Sequence, residues 1–506
     1  MMQIGLNVFW DKTDFHPHSR IMLTSDARLD FAVCHINAVN KSLDTVCTIA
    51  ESISNRFHAL GLPYIANFEQ ANFDRSCKGP DGFEWANHAD GTHRMVFPER
   101  MLKALNKNGN LLGIIYDEFE HMIINRNAGI GIDAKLNVFP LPEKPSVLND
   151  GEALKQNLKP YVAQIKKCGV PRFAGEHVFP VLYHLFAASG ITPNFKSQKE
   201  SFSNVQYAIA SGAALEYDTE LWNCVDMWFM RRHPGHSARE MYNNLVFAYE
   251  SGVSKVYVES SAAMVSDGTI NEYGREFIRF THEYQGKPRS FGISDLRPKT
   301  AIIRYDDTYW GQSGILLWKR ILFGDERLKP KRRQKEYLHV FHLLTHGETC
   351  KNGINWGRFT LWSLRKHRSF ATMGALCVFD ENVRSPKLES LELCFLCGEY
   401  ISEATLKDIG LLVKNNGLVA VTTRRFLPSH VQSRCRRSTD VIPDGKGKWI
   451  VVRNFKSASL KRLLSAYLGN EGEIRLCFND HERKLRISQD GDALTVADNP
   501  EKEVDR

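Results

Sequence analysis

The sequence predicts an α/β protein: a (β/α)8 TIM barrel, then a smaller α/β domain, then a small C-terminal β module. Three observations carry this. Short apolar, β-branched runs alternate with helical stretches across the first 300 residues, as in a parallel sheet buried on both faces. Eight such units fit within residues 31–294, close to the roughly 250 residues of a barrel of this kind. Several of the predicted strands also end on a carboxylate, at a point where burial no longer explains the residue.

The expected strands are 31–37 (FAVCHIN), 62–68 (LPYIANF), 111–116 (LLGIIY), 172–175 (RFAG), 191–200 (ITPNFKSQKE), 220–229 (ELWNCVDMWF), 253–260 (VSKVYVES) and a weak eighth at 290–294. Helices are expected near 42–60, 98–106, 152–167, 178–188, 204–214, 237–250 and 273–284. The long connection 71–94 contains Trp85 and is rich in Asp, Gly, Asn and His, a composition that favours a functional loop. A doubly wound open sheet is the rival architecture. It would call for a glycine-rich phosphate turn after the first strand, and HINAVNKS has no glycine.

At 506 residues the chain exceeds what one core organises. The expected division is a barrel domain over 1–296, a second α/β domain over 297–432, and a β module with a polar tail over 433–506. In the second domain, strands at 298–305, 375–379, 391–396 and 418–422 surround the helix SEATLKDIGLLVKNNG, with Ser402 as its N-cap and Gly417 closing it. Strands at 449–452, 474–478 and 484–488 are assigned to the β module.

The net charge of +8 is a mild bias on so long a chain, and the basic run 329–335 (KPKRRQK) reads as a solvated linker, so no nucleic-acid partner is expected. The N-terminal stretch has no basic leader or signal-like apolar run. No run approaches the roughly 18 apolar residues of a membrane span. The eleven cysteines have no repeated spacing, and Cys394 and Cys397 lack the second pair that zinc would need. The expectation is a cytoplasmic protein with no membrane partner, no cofactor and no metal.

In a barrel of this type the active site lies at the C-terminal ends of the strands. Those ends supply Glu69, Asp117, Glu118, Glu120, Glu176, Asp226 and Glu259, with Trp85, Trp222 and Trp228 near them in sequence. Carboxylates bind hydroxyls and indole faces stack on the C–H side of a pyranose, so an oligosaccharide or glycoside is the expected ligand. Glycosidic hydrolysis needs one protonated carboxyl for the leaving oxygen and one ionised carboxyl to attack the sugar or activate water. On this strand count Glu176 and Glu259 end strands four and seven. They are assigned as general acid/base and nucleophile, with a carboxylate separation of about 5 Å and retention of configuration.

Each residue also has a plainer reading. His121 and His177 suit a polar network better than a metal, which needs at least three converging ligands. Trp222 and Trp228 are as compatible with core as with a sugar platform. Lys196 and Lys199 are suited to an anionic substrate group or to an exposed loop. A metal-dependent hydrolase on the same barrel is the first rival, weakened because strand one offers His35-Ile36-Asn37 where a His-x-His pair would be wanted. A carbohydrate-binding barrel without turnover is the second.

Glutamates ending strands four and seven resemble the large clan of retaining TIM-barrel glycoside hydrolases. The succession of barrel, second α/β domain and β module is similar to the family 42 β-galactosidases. In that family the middle domain is flavodoxin-like, related to class I amidotransferases, and supports trimerisation. The stretch 397–428 (CGEYISEATLKDIGLLVKNNGLVAVTTRRFLP) resembles that domain's pattern of strand, turn, Ser-x-x-Thr helix start, glycine and strand. The resemblance implies a glycosidase and a homo-oligomer, dimer or trimer. One position departs: the clan places Asn before its acid/base glutamate, whereas Gly175 precedes Glu176. Asp117 and Glu118 in YDEFEH are therefore the alternative acid or nucleophile.

Overall fold

The computed structural model describes residues 1–36, 41–68, 85–87, 93–95, 97–124, 139–197, 202–226, 236–311, 321–349, 369–456, 458–479, 481–488 and 494–498. Eight parallel strands close into a barrel: β1 (Gln3–Asp11), β2 (Phe31–His35), β3 (Tyr64–Asn67), β4 (Leu111–Asp117), β5 (Phe173–His177), β6 (Thr192–Ser197), β7 (Trp222–Val225) and β8 (Lys255–Val258). Closure is made where β1 pairs with β8, from Gln3 opposite Lys255 to Leu6 opposite Val258. The (β/α)8 architecture expected from the alternation is present.

The strand count needs one correction. The first barrel strand is β1, which is not among the strands expected from the sequence. The stretch 290–294 is not a strand but runs into a short 3-10 turn, Ile293–Asp295. Every later strand therefore moves up by one. Asp117 ends β4 and Glu118 follows it, Glu176 lies on β5, Asp226 follows β7 and Glu259 follows β8. The reason lies in the interior face of β1. Gly5 sits so close to Phe31 that a Cβ would come within 2.5 Å of its ring, and Asn7 pairs with His35. Small and polar residues in those places hide the alternation of a buried strand.

A helix follows each strand: α1 (Pro17–Leu23), α2 (Leu43–Ala59), α3 (Glu99–Leu105), α4 (Val147–Lys167), α5 (Tyr183–Ala188), α6 (Ser203–Glu216), α7 (Ala238–Glu250) and α8 (Glu272–Tyr284). Local chemistry sets several starts. Ser42 accepts from Thr45 N, Ser146 accepts from Asn149 N, and Ser237 with Glu240 forms a capping box. A small cluster of Phe31, Val33, Ile65, Ile115, Ala174, Trp222, Cys224 and Tyr257 fills the barrel interior, and the main core lies between strands and helices.

The rest of the chain forms two further sheets. β9 (Thr300–Ile303), β10 (Leu376–Phe379), β11 (Leu393–Leu396), β12 (Val419–Thr422), β13 (Asp440–Asp444) and β14 (Gly447–Val451) make a six-stranded sheet of order β10-β9-β11-β12-β14-β13. All neighbours in it are parallel except β13 against β14. β14 pairs with β12, so the strand expected at 449–452 belongs here and not to the C-terminal module. The helix α9 (Glu403–Asn416) starts at Ser402, which accepts from Thr405 N, and stops at Gly417 with φ 84°, both as expected. The third sheet is an antiparallel meander of β15 (Glu473–Cys477), β16 (Glu482–Ile487) and β17 (Leu494–Asp498).

The second sheet packs directly on the barrel. Gly212 of α6 lies against β10 so tightly that a Cβ would fall 1.7 Å from Val378 O. The segment after β9 reaches the loop that follows β5. There Asp306 accepts from Leu182 N at 3.2 Å and from His184 N at 3.3 Å. Trp310 stacks on Phe179 with ring centroids 4.5 Å apart.

Candidate active site at the mouth of the barrel

Side chains alternate along a strand, so every second residue of each barrel strand points inward. Lower in the interior they include the cluster Phe31, Val33, Ile65, Ile115, Ala174 and Trp222, with Lys255 over the Trp222 ring. At the C-terminal end they become Asn67, Asp117, Glu176, Asn194, Lys196 and Tyr257, with Glu118, Asp226 and Glu259 just beyond the strands. The strands thus deliver a polar layer to the mouth.

Lys196, on β6, is its centre. Its Nζ lies 3.1 Å from Glu176 Oε1, 3.4 Å from Asp117 Oδ1, 3.5 Å from Glu118 Oε1 and 3.6 Å from Asp226 Oδ2. Burial favours a neutral amine, but Asp117, Glu259, Glu176 and Asp226 outweigh it and hold the Lys196 pKa well above the ordinary lysine value. The ammonium is thus buried on β6 and engaged by the protein's own carboxylates, not held on an exposed loop.

Two layers can be told apart. Asp117 and Glu176 expose nothing, whereas Glu118 exposes 17% of its side chain and Glu259 is half-buried. In the lower layer Asn67 Nδ2 donates to Asp117 Oδ2 at 3.3 Å. Tyr257 donates its hydroxyl to Glu176 Oε2, which also accepts from Asn194 Nδ2 at 3.4 Å. In the upper layer Cys224 Sγ donates to Glu259 Oε2 at 2.7 Å. Burial raises the Cys224 thiol well above its usual range, so it stays protonated as a donor. Glu118 has a φ of 51°, a left-handed conformation that non-glycine residues adopt at a cost. That strain marks the point where the chain leaves β4 and turns into the short helix Phe119–Ile124.

Glu176, Cys224 and Glu259 bring one donor atom each to within 4.8 Å of one another. The Lys196 ammonium on Glu176 supplies the positive charge that such a set would otherwise seek from a metal, and the thiol proton is already engaged by Glu259.

Other expected residues lie elsewhere. Glu120 sits behind β5, where its Oε1 accepts from Val178 N at 2.7 Å and Phe179 N at 3.0 Å, and burial pushes its pKa up to about 8. His177 faces outward from β5, stacked on Tyr183. Burial pushes its pKa down to about 3, so the ring is neutral and Nδ1–H donates to Val181 O at 3.0 Å. Both act as polar-network residues. Trp222 lies at the opposite, N-terminal end of the interior, where Nε1 donates to Glu220 Oε2 at 2.7 Å. Glu69, Lys199, Trp228 and the side chains of Trp85 and His121 lie outside the described residues.

Sequence reasoning missed Asn67, Asn194, Cys224 and Tyr257 as members of the site. The available signal was period two: Asn194 with Lys196, Cys224 with Asp226 and Tyr257 with Glu259 share the inward face.

No family model and no curated protein matches the sequence. Among solved structures, a β-galactosidase from the Antarctic haloarchaeon Halorubrum lacusprofundi superposes with a TM-score of 0.58 at 9% identity, over 96% of this chain and 93% of that one. An exo-β-1,4-mannosidase from Opitutaceae bacterium strain TAV5 gives 0.46 at 10% identity, over 93% and 97%. An exo-carrageenase from Bacteroides ovatus gives 0.40 at 9% identity, over 98% and 75%. The latter two overlaps are too loose to argue from. The first holds across nearly the full length of both proteins, so the chain is similar in fold to that β-galactosidase.

Proposed function

We propose that the chain is a retaining glycoside hydrolase in which Glu118 is the general acid/base and Asp226 the nucleophile. One observation carries this. With the strands counted from β1, Glu118 directly follows Asp117 at the end of strand four and Asp226 follows strand seven, and both reach the same Lys196 nitrogen, at 3.5 and 3.6 Å. Those two oxygens are therefore no more than about 7 Å apart, a bound that admits the roughly 5–5.5 Å of retaining enzymes and excludes only the wider part of the inverting range. The residue before Glu118 is Asp117, nearer to the clan's Asn than Gly175 is.

In this reading Glu118 gives its proton to the leaving oxygen while Asp226 attacks the anomeric carbon. Water then opens the glycosyl-enzyme bond, with Glu118 taking the proton back. The leaving oxygen needs a proton from one of the two. Glu118 is the one turned to solvent and able to pass it on. Glu176, expected from sequence to be the acid/base, lies too deep and too tightly held by Tyr257, Asn194 and Lys196 to follow a leaving group. Glu259, the expected nucleophile, faces the mouth from β8 and suits a sugar hydroxyl.

The β-galactosidase overlap supports a neutral glycoside as substrate. The order of the parallel strands in the second sheet, 2-1-3-4-5, supports a flavodoxin-like domain, with its boundary near residue 452 once β14 is included. A homo-oligomer, an intracellular setting and an independent C-terminal module belong to the same reading.

A panel of aryl glycosides tests it, with NMR of the first-formed anomer. Glu118→Gln is expected to lower kcat about 100- to 10,000-fold on poor leaving groups and far less on dinitrophenyl glycosides. Asp226→Asn is expected to abolish turnover of both. Wild-type rates in both variants would sink the assignment.

A further inference from the structure

Lys196 is the inward-facing cation of the polar layer, and it belongs to neither the acid/base nor the nucleophile role. Its nitrogen bridges the ends of β4, β5 and β7 through Asp117, Glu118, Glu176 and Asp226. Glu259 after β8, Cys224 on β7 and Tyr183 on α5 interact with it electrostatically. Every one of these neighbours is acidic or neutral.

Glu176 makes the geometry informative. It is fully buried, and its Oε2 is taken by Tyr257 and Asn194. Its Oε1 has no hydrogen-bond partner but lies 3.1 Å from the Lys196 ammonium. A buried carboxylate is tolerated only with a counter-charge, and breaking such a pair from one side is far more damaging than removing both halves.

Resting on the glycosidase reading above, we propose that Lys196 is the positioning residue of the site: its ammonium ties the ends of β4, β5 and β7 into one charged unit, pairs with the buried Glu176 beneath, and so fixes Glu118 and Asp226 on either side of the reacting bond. Lys196 touches neither the sugar nor the leaving group. It acts through the carboxylates.

The test compares thermal unfolding of the wild type, Lys196→Met, Lys196→Arg and the double variant K196M/E176Q at pH 4.5, 6 and 8. In K196M the buried Glu176 carboxyl is protonated at low pH without penalty and must ionise without a counter-charge as pH rises. The Tm gap to wild type is therefore expected to widen from pH 4.5 to pH 8. K196R is expected to recover most of the gap, and adding E176Q to K196M is expected to narrow it at pH 8. A residue needed only for its bulk would give the same gap at every pH, and that result overturns the proposal. If K196M yields no folded protein, recovery of folded protein in the double variant supports the proposal, and its failure at all three pH values overturns it. These readouts are thermal, so a chain that hydrolyses no glycoside would sink the enzymatic reading while leaving the role of Lys196 to be decided separately.

Discussion

Tyr257 on β8 gives its hydroxyl proton to Glu176 on β5, joining two strands across the interior of the barrel. Asn194 completes the triangle by donating to Tyr257 Oη at 2.8 Å and to Glu176 Oε2 at 3.4 Å. Removing the hydroxyl leaves a fully buried carboxylate oxygen with one weaker donor. Tyr257→Phe is expected to destabilise the fold by about 1–3 kcal/mol. It is also expected to lower kcat about 10-fold, roughly one lost hydrogen bond to a charged group. Denaturant unfolding and steady-state kinetics check the two values.

The pH dependence of stability has an identifiable contributor. Burial pushes the Glu120 carboxyl up to about 8, against an ordinary value of 4.5. A carboxyl whose folded pKa is raised stabilises most when protonated in both states, and that contribution is lost as pH climbs from about 4.5 through about 8. Glu120→Gln retains an oxygen able to accept from Val178 N and Phe179 N and cannot ionise. Its Tm is expected to fall less than that of the wild type between pH 6 and 9. Parallel curves for the two proteins would refute the assignment.

The junction between α6 and β10 has no room for a methyl group. A Cβ at Gly212 would lie 1.7 Å from Val378 O, a backbone atom that cannot step aside. Gly212→Ala is expected to cost more than about 3 kcal/mol, at the severe end of single substitutions. Chemical denaturation gives the number directly. A cost below about 1 kcal/mol would mean that the helix and sheet separate freely.

Chelation separates the two hydrolytic chemistries. With the Lys196 ammonium set among the carboxylates, dialysis against EDTA is expected to leave Tm and turnover unchanged, and metal analysis to find less than one divalent ion per chain. A stoichiometric ion whose removal stops turnover would favour the metal-dependent rival.

Much of the fold was legible in the sequence because parallel barrel strands announce themselves as apolar β-branched runs: LLGIIY and KVYV appear where expected. β1 was not legible, since Gly5 and Asn7 occupy its interior face and break the pattern. That single omission moved Glu176 and Glu259 onto strands four and seven in the sequence reading, and Asp117, Glu118 and Asp226 off them. The carboxylates themselves were found, because a charged residue at the end of a buried strand is conspicuous. Their grouping was not, because Lys196 reads as a loop lysine until β6 is seen to carry it inward. The strand at 449–452 was misassigned for a related reason: its partner β12 lies some 30 residues earlier, and such pairing leaves no local trace.

The segment after β9 has a consequence for cutting and recombining this chain. Asp306 receives one backbone N–H from Leu182, whose φ of 66° is left-handed, in the turn after β5, and one from His184 in the first turn of α5, and Trp310 lies flat on Phe179 in the turn. That turn also supplies both N–H groups bound by Glu120. A barrel severed at residue 297 would keep all eight strands and lose the brace on one of its mouth loops. A transplantable barrel that keeps this brace is therefore expected to carry residues 298–311 with it.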